Sequence, residues 1–498
     1  MKIALISSEA VPYSKTGGLA DVAGTLFKEL ADMGHDATLF IPLYAATKER
    51  FLKSLTDLII QIDIPIGSVT KKCSVYSEKK SGIKNVKRGR VYFISNDEYF
   101  GRSELYGTAE GDYPDNDLRF IFFCRSVLEI CKFLDLKYNV LHCNDWQTSL
   151  IPLYLKTLYQ NDPVFSKSKT VLTIHNMGYQ GLFPPSSLES AGFGPDIFNP
   201  EGIEFYGKVN FLKAGLTAAD LLTTVSPTYA REILSPDKGF GLDGVLRKRS
   251  NALFGVLNGI DTIEWNPEAD NLLPCNYSVR NLKGKFECKR KLMLKCSLEG
   301  TQETPLLSFI GRLSSQKGID LLADSTDELL DRGAVLFLLG KGDERFQTQL
   351  AEKAARYRHK VYFLAGFDEV LAHLAYAGSD IFLMPSQYEP CGLGQMIAMR
   401  YGTIPVAYST GGLADTIISS ERIDDRYLAG GNNGTIKDTG FLFHKHNRDA
   451  LMEAVDQALS VYKQKDIWQI LITNAMRMDF SWKKSAEKYL ELYERPVR

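Results

Sequence analysis

Short runs of apolar residues alternate with helical patterns through the first half of the chain. After the run Ile3–Ser7, apolar residues recur at helical spacing from Leu19 to Leu30, Gly34 ends the helix, and Ala37–Ile41 returns as a strand. The alternation continues with a helix at Leu118–Leu134 and strands at Val91–Ser95, Val140–Cys143, Thr170–Ile174 and Leu221–Val225. Strands that are apolar on both faces and separated by helices predict a parallel, doubly wound sheet.

The second half of the chain repeats this scheme. Apolar runs followed by helical stretches predict strands at Leu306–Ile310, Val335–Leu339, Val361–Ala365, Ile381–Met384 and Ile404–Ala407. The polar segment from Gly255 to about Pro305 is interpreted as the connection, with a hinge at Asn258–Asp261. The pattern predicts an α/β fold of two Rossmann-like domains, residues 1–257 and 258–465. An aromatic helical tail, residues 466–498, is expected to pack back on the first domain.

Composition narrows the class of protein. A length of 498 residues with 44% hydrophobic and 24% charged residues suits two globular domains. The net charge of −1 and the dispersed basic residues argue against a nucleic-acid or membrane partner. The lysine-rich stretch Lys79–Arg90 is interpreted as a solvated hairpin loop. Scattered cysteines without zinc-site spacing, and an amino-terminal apolar run too short for a signal peptide, predict a cytoplasmic protein with reduced thiols.

One hexapeptide, Thr-Gly-Gly-Leu-Ala-Asp, occurs twice, at Thr16–Asp21 and at Thr410–Asp415. Each copy follows an apolar strand pattern and precedes a helical one. Its paired glycines allow close backbone approach and positive φ, and a helix N-terminus favours a phosphate. The alternative is that the glycines only close a tight strand-to-helix turn. The candidate phosphate-binding residues are Gly17 and Gly18 in the first copy, and Thr410, Gly411 and Gly412 in the second.

Polar side chains cluster where the predicted strands end, which is where doubly wound sheets bind ligands. Arg312 and Lys317 share one strand-to-helix turn and are suited to holding a diphosphate, although a surface ion pair is the alternative. Glu389 precedes a proline and is expected to project toward a ligand rather than into the sheet. Its alternative role is a helix N-terminal acid.

Two further strand ends carry ambiguous residues. His175 is either a site residue or a core histidine, and His142 is as readily a core residue. Asp145 and Trp146 are either a helix cap with a core aromatic or a sugar-binding pair. His444 and His446 have no third ligand nearby in the sequence, so no metal is predicted.

At these residues the chain resembles bacterial glycogen synthases and the related plant starch synthases, retaining glucosyltransferases of the two-Rossmann-domain (GT-B) architecture, in which the domains face each other across a deep cleft. The resemblance runs nearly end to end, and its specific feature is the lysine that starts the first motif. The matching stretches are Lys15–Val22, Thr173–Asn176, Val256–Asp261, Gly311–Leu313, Gln316–Gly318 and Glu389–Leu393.

The resemblance implies transfer of glucose from ADP-glucose to the nonreducing 4-hydroxyl of glycogen or another α-1,4-glucan, with retention and without a metal or other cofactor. It also implies a role for each matching residue. The diphosphate would be bound by Lys15, Arg312 and Lys317, and its distal phosphate would face Thr410–Gly412. The donor glucose would be held by His175 and Glu389, with its hydroxyls in contact with Asp145, while adenine would stack on Phe367. Asp21 would shape the first glycine turn, Asn258 would line the cleft, and the donor-binding motif would be completed by Cys391, Gly392 and Leu393.

Rival interpretations stay open at this point. They are a sugar-nucleotide transferase with another donor, such as UDP-glucose, or another acceptor; a 2-epimerase on the same scaffold; and a catalytically silent glucan-binding protein. The role of the loop Glu98–Asp117, which carries Tyr99, Tyr106 and Tyr113, is not assigned.

Overall fold

A computed structural model describes residues 1–78, 89–108, 110–419 and 436–495. The chain forms two compact units, Met1–Val256 with Trp482–Arg498, and Leu257–Ser481. The division after Val256 lies one residue from the predicted one.

The first unit is built on a nine-stranded sheet whose spatial order is β14-β13-β9-β8-β1-β2-β5-β4-β3. Its central strands pair in parallel, as predicted. Its strands are β1 Lys2–Ile6, β2 Asp36–Pro42, β3 Leu55–Ile66, β4 Val69–Glu78, β5 Gly89–Ser95, β8 Val140–Asn144, β9 Lys169–Ile174, β13 Leu221–Thr224 and β14 Leu253–Gly255.

One edge of this sheet departs from the prediction. Strands β3 and β4 form an antiparallel hairpin, and β4 runs antiparallel to β5. Ile66 pairs with Val69, so the turn has two residues, of which Gly67 has φ +56°. Residues 72–75 alternate polar and apolar side chains, with Cys73 and Val75 buried, which is the pattern of a strand with one solvated face. The sheet is therefore mixed, with a solvated antiparallel edge.

Smaller elements complete the first unit. Short strands lie at β6 Gly107–Thr108, β7 Gly111–Asp112, β10 Leu182–Phe183, β11 Glu204–Phe205 and β12 Lys208–Asn210. The helices before the unit boundary are α1 Gly18–Asp32, α2 Ala45–Phe51, α3 Asp97–Phe100, α4 Asn116–Phe133, α5 Leu150–Lys156, α6 Ser187–Ala191, α7 Phe211–Ala218, α8 Pro227–Glu232, α9 Pro236–Gly239 and α10 Asp243–Lys248. Single 3₁₀ turns lie at Trp146–Thr148, Pro195–Ile197 and Ser250–Ala252.

The second unit contains a six-stranded sheet that is parallel throughout, in the order β17-β16-β15-β18-β19-β20. Its strands are β15 Leu306–Ile310, β16 Val335–Gly340, β17 Val361–Ala365, β18 Ile381–Met384, β19 Ile404–Tyr408 and β20 Phe441–Phe443. Its helices are α11 Lys283–Lys295, α12 Ile319–Asp331, α13 Glu344–Arg356, α14 Glu369–Gly378, α15 Gly394–Arg400, α16 Gly411–Thr416, α17 Arg448–Lys463 and α18 Lys465–Met476, with a 3₁₀ turn at Ser315–Lys317.

Two predicted boundaries need correction. The segment from Gly255 to about Pro305 is not a bare connection, because everything from Leu257 onward belongs to the second unit and includes α11. The tail also divides: α18 remains in the second unit, and only α19, Trp482–Tyr493, returns to the first. Trp482, Tyr489 and Tyr493 belong to the same buried apolar cluster as residues of α1 and of the sheet, because burial of their large rings is favourable.

The remaining predictions have mixed outcomes. Of the Lys79–Arg90 stretch, residues 79–88 lie outside the described residues. All eight cysteines are described, and each is a free thiol. None of the described helices combines the length and hydropathy needed to cross a lipid bilayer.

Candidate active site

The first glycine motif lies in the loop between β1 and α1 of the first unit. Gly17 caps the helix with φ −154°, an extended conformation, and α1 begins at Gly18. Neither glycine has positive φ, so the conformational reason given for them from the sequence is wrong. A Cβ built at either position meets no atom within 4 Å. These glycines therefore leave open space above the helix N-terminus, which is what a close-approaching ligand requires.

Glu9, which sequence analysis missed, holds this turn. Its buried carboxylate accepts hydrogen bonds from the Thr16 amide at 2.5 Å, the Thr16 hydroxyl at 3.0 Å and the Gly17 amide at 3.4 Å. Tyr106 donates to the same carboxylate at 3.1 Å. Burial raises the pKa of Glu9, and these hydrogen bonds oppose the rise. Two amides of the predicted phosphate-binding turn are thus already engaged.

Lys15 and Asp21 form an ion pair beside the open glycines. The ammonium lies 2.7 Å from Asp21 Oδ1, and the lysine side chain is 54% exposed. Burial raises the pKa of Asp21 while Lys15 lowers it. The structure therefore brings two predicted site residues together, with Asp21 holding the lysine head group next to Gly17 and Gly18.

A second group lies at the ends of β8 and β9. Asp145 Oδ1 accepts the His175 amide at 2.7 Å, and burial raises the pKa of Asp145 to about 7. Its backbone has φ +55°, ψ −174°, a region that costs a non-glycine residue roughly 1–3 kcal/mol and that is found at functional sites. The fold maintains this strained carboxylate position at the carboxyl ends of adjacent strands.

Asn144 fixes the orientation of the His175 ring. Its amide nitrogen donates to the Ile6 carbonyl at 3.1 Å, so its Oδ1 faces His175 Nε2 at 2.9 Å and accepts a hydrogen bond from it. Burial lowers the pKa of His175 to about 3, so the ring is neutral at neutral pH and Nδ1 carries the lone pair. Sequence analysis named His175 but not Asn144, because neighbouring strands bring together residues 31 positions apart.

Two ambiguous residues of this region belong to the core. His142 is fully buried, with Nδ1 2.6 Å from the Tyr493 hydroxyl and Nε2 2.6 Å from the Thr173 hydroxyl. Trp146 packs in an aromatic cluster whose nearest ring is that of Phe120, at 5.0 Å between centroids. The core interpretation of both residues therefore fits the structure.

The second unit places its predicted residues at the ends of β15 and the neighbouring β18. Arg312 is exposed on the turn after β15. Gly318 ends this turn with φ +68°, and a Cβ there would overlap the Pro385 carbonyl oxygen. The Gln387 amide also donates to the Gln316 carbonyl at 2.8 Å. Only glycine lets the two loops approach so closely.

That approach joins Lys317 to Glu389. The ammonium lies 2.5 Å from Glu389 Oε2, and the side chains are 21% and 8% exposed. Water and salt screen the attraction in a pair this shielded less than in a surface ion pair, and the contact fixes the position of both charges. The predicted cation and carboxylate thus form an ion pair, and the exposed Arg312 lies on the same turn as Lys317.

Gln395 holds the segment after Glu389 in place. Its amide nitrogen donates to the carbonyls of Cys391 at 2.9 Å and Gly392 at 3.1 Å, and to the Thr416 hydroxyl at 3.1 Å. Gly392 has φ +73°, which favours glycine. Burial raises the pKa of the Cys391 thiol to about 12, so this cysteine is a packing residue and not a nucleophile. Leu393 caps α15.

The second glycine motif has a different role from the one expected. The Gly412 amide donates to the Glu389 carbonyl at 3.1 Å, and the Thr410 amide donates to the Tyr408 carbonyl at 2.9 Å. Gly411 has φ +43°, and Cβ atoms at Gly411 and Gly412 would overlap the carbonyl oxygens of Glu389 and Cys391. The expectation that these three amides face a phosphate is therefore wrong for Thr410, whose amide bonds Tyr408, and for Gly412, whose amide holds the Glu389 segment.

Asn258 offers a polar contact to a ligand, and Phe367 offers an aromatic one. Asn258 is 7% exposed, and its Oδ1 has no hydrogen-bond partner among the described residues. Phe367 is 80% exposed, although burial is the usual state of a phenylalanine ring. A buried unpaired acceptor and an exposed aromatic face both suit ligand contact.

Family models match the two units in turn. A model described as the starch synthase catalytic domain matches residues 2–248, and one described as glycosyl transferases group 1 matches residues 297–470. A glycogen synthase of Thermodesulfovibrio yellowstonii is 48% identical over 99% of this chain and 97% of its own length. This chain belongs to the glycogen synthase family. Another member, from Thermotoga maritima, is 44% identical over 100% of this chain and 99% of its own.

Solved structures agree with the family. The catalytic domain of starch synthase IV from Arabidopsis thaliana, bound to ADP and acarbose, has a TM-score of 0.86 and 32% identity, covering 99% of this chain and 98% of its own. A sucrose-phosphate synthase from Thermosynechococcus elongatus, with a TM-score of 0.58 and 18% identity, shares the fold. The predicted two-Rossmann-domain class is confirmed, and the chain is a retaining glucosyltransferase of the glycogen synthase family.

Proposed function

We propose that the protein transfers glucose from ADP-glucose to the nonreducing 4-hydroxyl of glycogen or another α-1,4-glucan. Family membership supports a glucan product, and the complex of the Arabidopsis relative with ADP and acarbose supports an adenine nucleotide and an oligosaccharide as ligands. The residues of each unit then have distinct proposed tasks.

The Lys317–Glu389 pair carries this proposal. A nucleotide sugar leaves as a diphosphate, whose developing charge must be stabilised by fixed cations. Lys317, 2.5 Å from Glu389, is fixed, and the guanidinium of Arg312 stands on the same turn. In the proposed complex both contact the diphosphate, while the exposed ring of Phe367 stacks on adenine.

The first unit supplies the remaining contacts. Lys15 is the third cation for the diphosphate, and the open space at Gly17 and Gly18 admits the donor. The neutral His175 ring and the carboxyl group of Asp145 bond the hydroxyls of the donor glucose.

Retention follows from attack on the same face as the departing ADP. Lys317 holds the carboxylate of Glu389, and a carboxylate engaged with an ammonium is a weaker nucleophile than a free one. We therefore favour a front-side mechanism, in which Glu389 balances the positive charge of the sugar and the acceptor oxygen attacks as the leaving group departs. Double displacement needs two suitably spaced carboxyl groups instead. The proposal requires no metal or other cofactor and suits a cytoplasmic enzyme.

Incorporation of labelled glucose into glycogen tests the function. We expect incorporation from ADP-glucose to exceed that from UDP-glucose at equal concentration. We also expect an α-1,4-specific glucosidase to release the labelled glucose from the product. Equal or higher use of UDP-glucose would overturn the donor assignment. Glycogen binding without any incorporation would indicate a silent glucan-binding protein.

Lys317→Ala tests the residue on which the proposal depends. Loss of one fixed donor that stabilises the developing charge lowers kcat by roughly 10²- to 10³-fold, whereas the fold should persist. Lys353→Ala is the matched control, because Lys353 lies in the same unit, is 20% exposed and pairs with Asp327 at 2.6 Å. Near-normal turnover of Lys317→Ala at saturating ADP-glucose would remove Lys317 from the mechanism.

A further inference from the structure

A buried imidazole in the second unit has one nitrogen without a partner among the described residues. His373 lies on α14 and is 2% exposed. Its Nδ1 is 2.7 Å from Asp270 Oδ2, while its Nε2 makes no hydrogen bond to any described residue. An unpaired buried polar atom is costly, so its surroundings need an explanation.

Neighbouring groups fix the orientation of this ring. Asp270 also accepts a hydrogen bond from the Tyr401 hydroxyl at 2.6 Å, so its carboxylate cannot turn away. The ring stacks on Trp265, with centroids 4.1 Å apart and planes at 16°. The Asp270 carboxylate accepts a hydrogen bond from Nδ1, so Nε2 is the ring nitrogen left for another group.

Two carboxylates converge on this imidazole. An oxygen of Glu264, an oxygen of Glu369 and a ring nitrogen of His373 all lie within 4.8 Å of one another. Glu369 stands one helical turn before His373, so the two side chains share a face of α14, and Glu264 precedes the stacking residue Trp265. Since Nδ1 is engaged with Asp270, Nε2 is the nitrogen left for the carboxylates.

Solvation and helix position explain only part of this cluster. Both glutamates are exposed, and Glu369 sits at a helix N-terminus that favours an acid. Neither fact explains why a fixed, buried imidazole, whose Nε2 is bonded by no described residue, lies in a cluster with two carboxylates. A cation between the three groups explains all of it, and an imidazole held by a carboxylate through its other nitrogen is the usual arrangement of a metal-bound histidine.

We propose that Glu264, Glu369 and His373 bind a divalent transition-metal ion of the Zn²⁺ type. One imidazole nitrogen and two carboxylate oxygens are a normal ligand set for zinc, with water in the fourth position. Asp270 is the outer partner that orients the histidine. Bound metal would tie the segment after Asp261 to the first turn of α14, far along the sequence, and would stabilise the second unit without entering the transfer reaction.

Metal binding to the full chain tests this site directly. Protein stripped with EDTA is titrated with Zn²⁺ by calorimetry and with Co²⁺ by visible absorption. We expect one equivalent bound with a rise in melting temperature, and at least about a 10-fold loss of affinity in Glu369→Gln and in Glu264→Gln. Because both residues are exposed, these variants should fold. Glu344→Gln is the matched control, since Glu344 is an exposed glutamate at the same position of α13.

The metal titrations of the wild type and the variants distinguish this site from other metal-binding groups. The site is supported if the visible spectrum of bound Co²⁺ indicates a nitrogen ligand, and if this spectrum is lost in Glu369→Gln and kept in Glu344→Gln. Equal zinc affinity in all variants would overturn it and assign the binding to other groups, such as the thiols. Mg²⁺ binding as tight as Zn²⁺ would also overturn it, because magnesium prefers oxygen ligands and would not need the imidazole.

Discussion

The two copies of Thr-Gly-Gly-Leu-Ala-Asp have the same sequence and different local structures. In the first, both glycines face open space, and α1 continues for 15 residues. In the second, both glycines are packed against the backbone of the Glu389–Cys391 segment, and α16 has 6 residues. The first copy follows Lys15, whereas the second follows Ser409.

Their amides are also used differently. A buried carboxylate, Glu9, accepts hydrogen bonds from the first turn, while the main-chain carbonyl of Glu389 accepts one from the second. The first turn is therefore a surface that a ligand can approach, and the second is a support for a site residue. Paired glycines serve both purposes, because the absence of a side chain admits either a ligand or a neighbouring backbone.

Gly412→Ala should have the largest effect on this comparison. Its new methyl group would overlap the Cys391 carbonyl oxygen, so we expect a loss of about 3 kcal/mol in the free energy of unfolding, and loss of activity as the Glu389 segment shifts. Denaturant unfolding and glucose incorporation measure both.

Gly18→Ala is the counterpart in the first turn. Its methyl group meets open space in a helix, so stability should stay the same or rise by roughly 0.5–1 kcal/mol, while the KM for ADP-glucose rises. Equal destabilisation by the two substitutions would contradict the difference between the turns.

Lys15→Ala tests the cation that only the first copy has. Loss of a charged hydrogen bond to the diphosphate should lower kcat/KM by about 10- to 100-fold, less than the effect of Lys317→Ala, because Lys15 is more exposed. Loss of the pair with Asp21 should cost at most about 1 kcal/mol of stability.

Lys156→Ala provides the control for that experiment. Lys156 belongs to the same unit, is also 54% exposed and pairs with Asp220 at 2.9 Å. Similar kcat/KM values for the two variants would show that Lys15 does not contact the donor.

Glu9→Gln should have the smallest effect, which appears in the pH dependence of the unfolding free energy and reports on the carboxylate that holds the first turn. Burial raises the pKa of Glu9 in the folded protein, so just above the ordinary glutamate pKa the folded state holds more protons than the unfolded state. The contribution of Glu9 to stability therefore falls as pH rises through that window. The difference in unfolding free energy between wild type and Glu9→Gln should follow this slope.

Much of the fold could be predicted from the sequence. The strands Leu306–Ile310, Val361–Ala365 and Ile381–Met384 lie where the apolar runs indicated. The prediction of a parallel sheet misses the antiparallel hairpin Leu55–Glu78, because the alternation of buried strands and helices indicates only the strands that are apolar on both faces. The prediction treats residues 466–498 as one tail on the first domain, whereas α18 belongs to the second unit and α19 to the first. Both helices bury aromatic residues, so only packing distinguishes their partners.

Local patterns therefore determined the elements, the repeat and the strand ends at which Lys15, His175, Arg312, Lys317 and Glu389 lie, because side-chain periodicity and glycine placement act over a few residues. Only the tertiary structure decided that Lys317 meets Glu389, 72 positions away, that Glu9 occupies the first turn, and that Gly412 supports the second. Such pairings depend on which loops the parallel strands bring side by side. Two identical hexapeptides differ here because their neighbours differ.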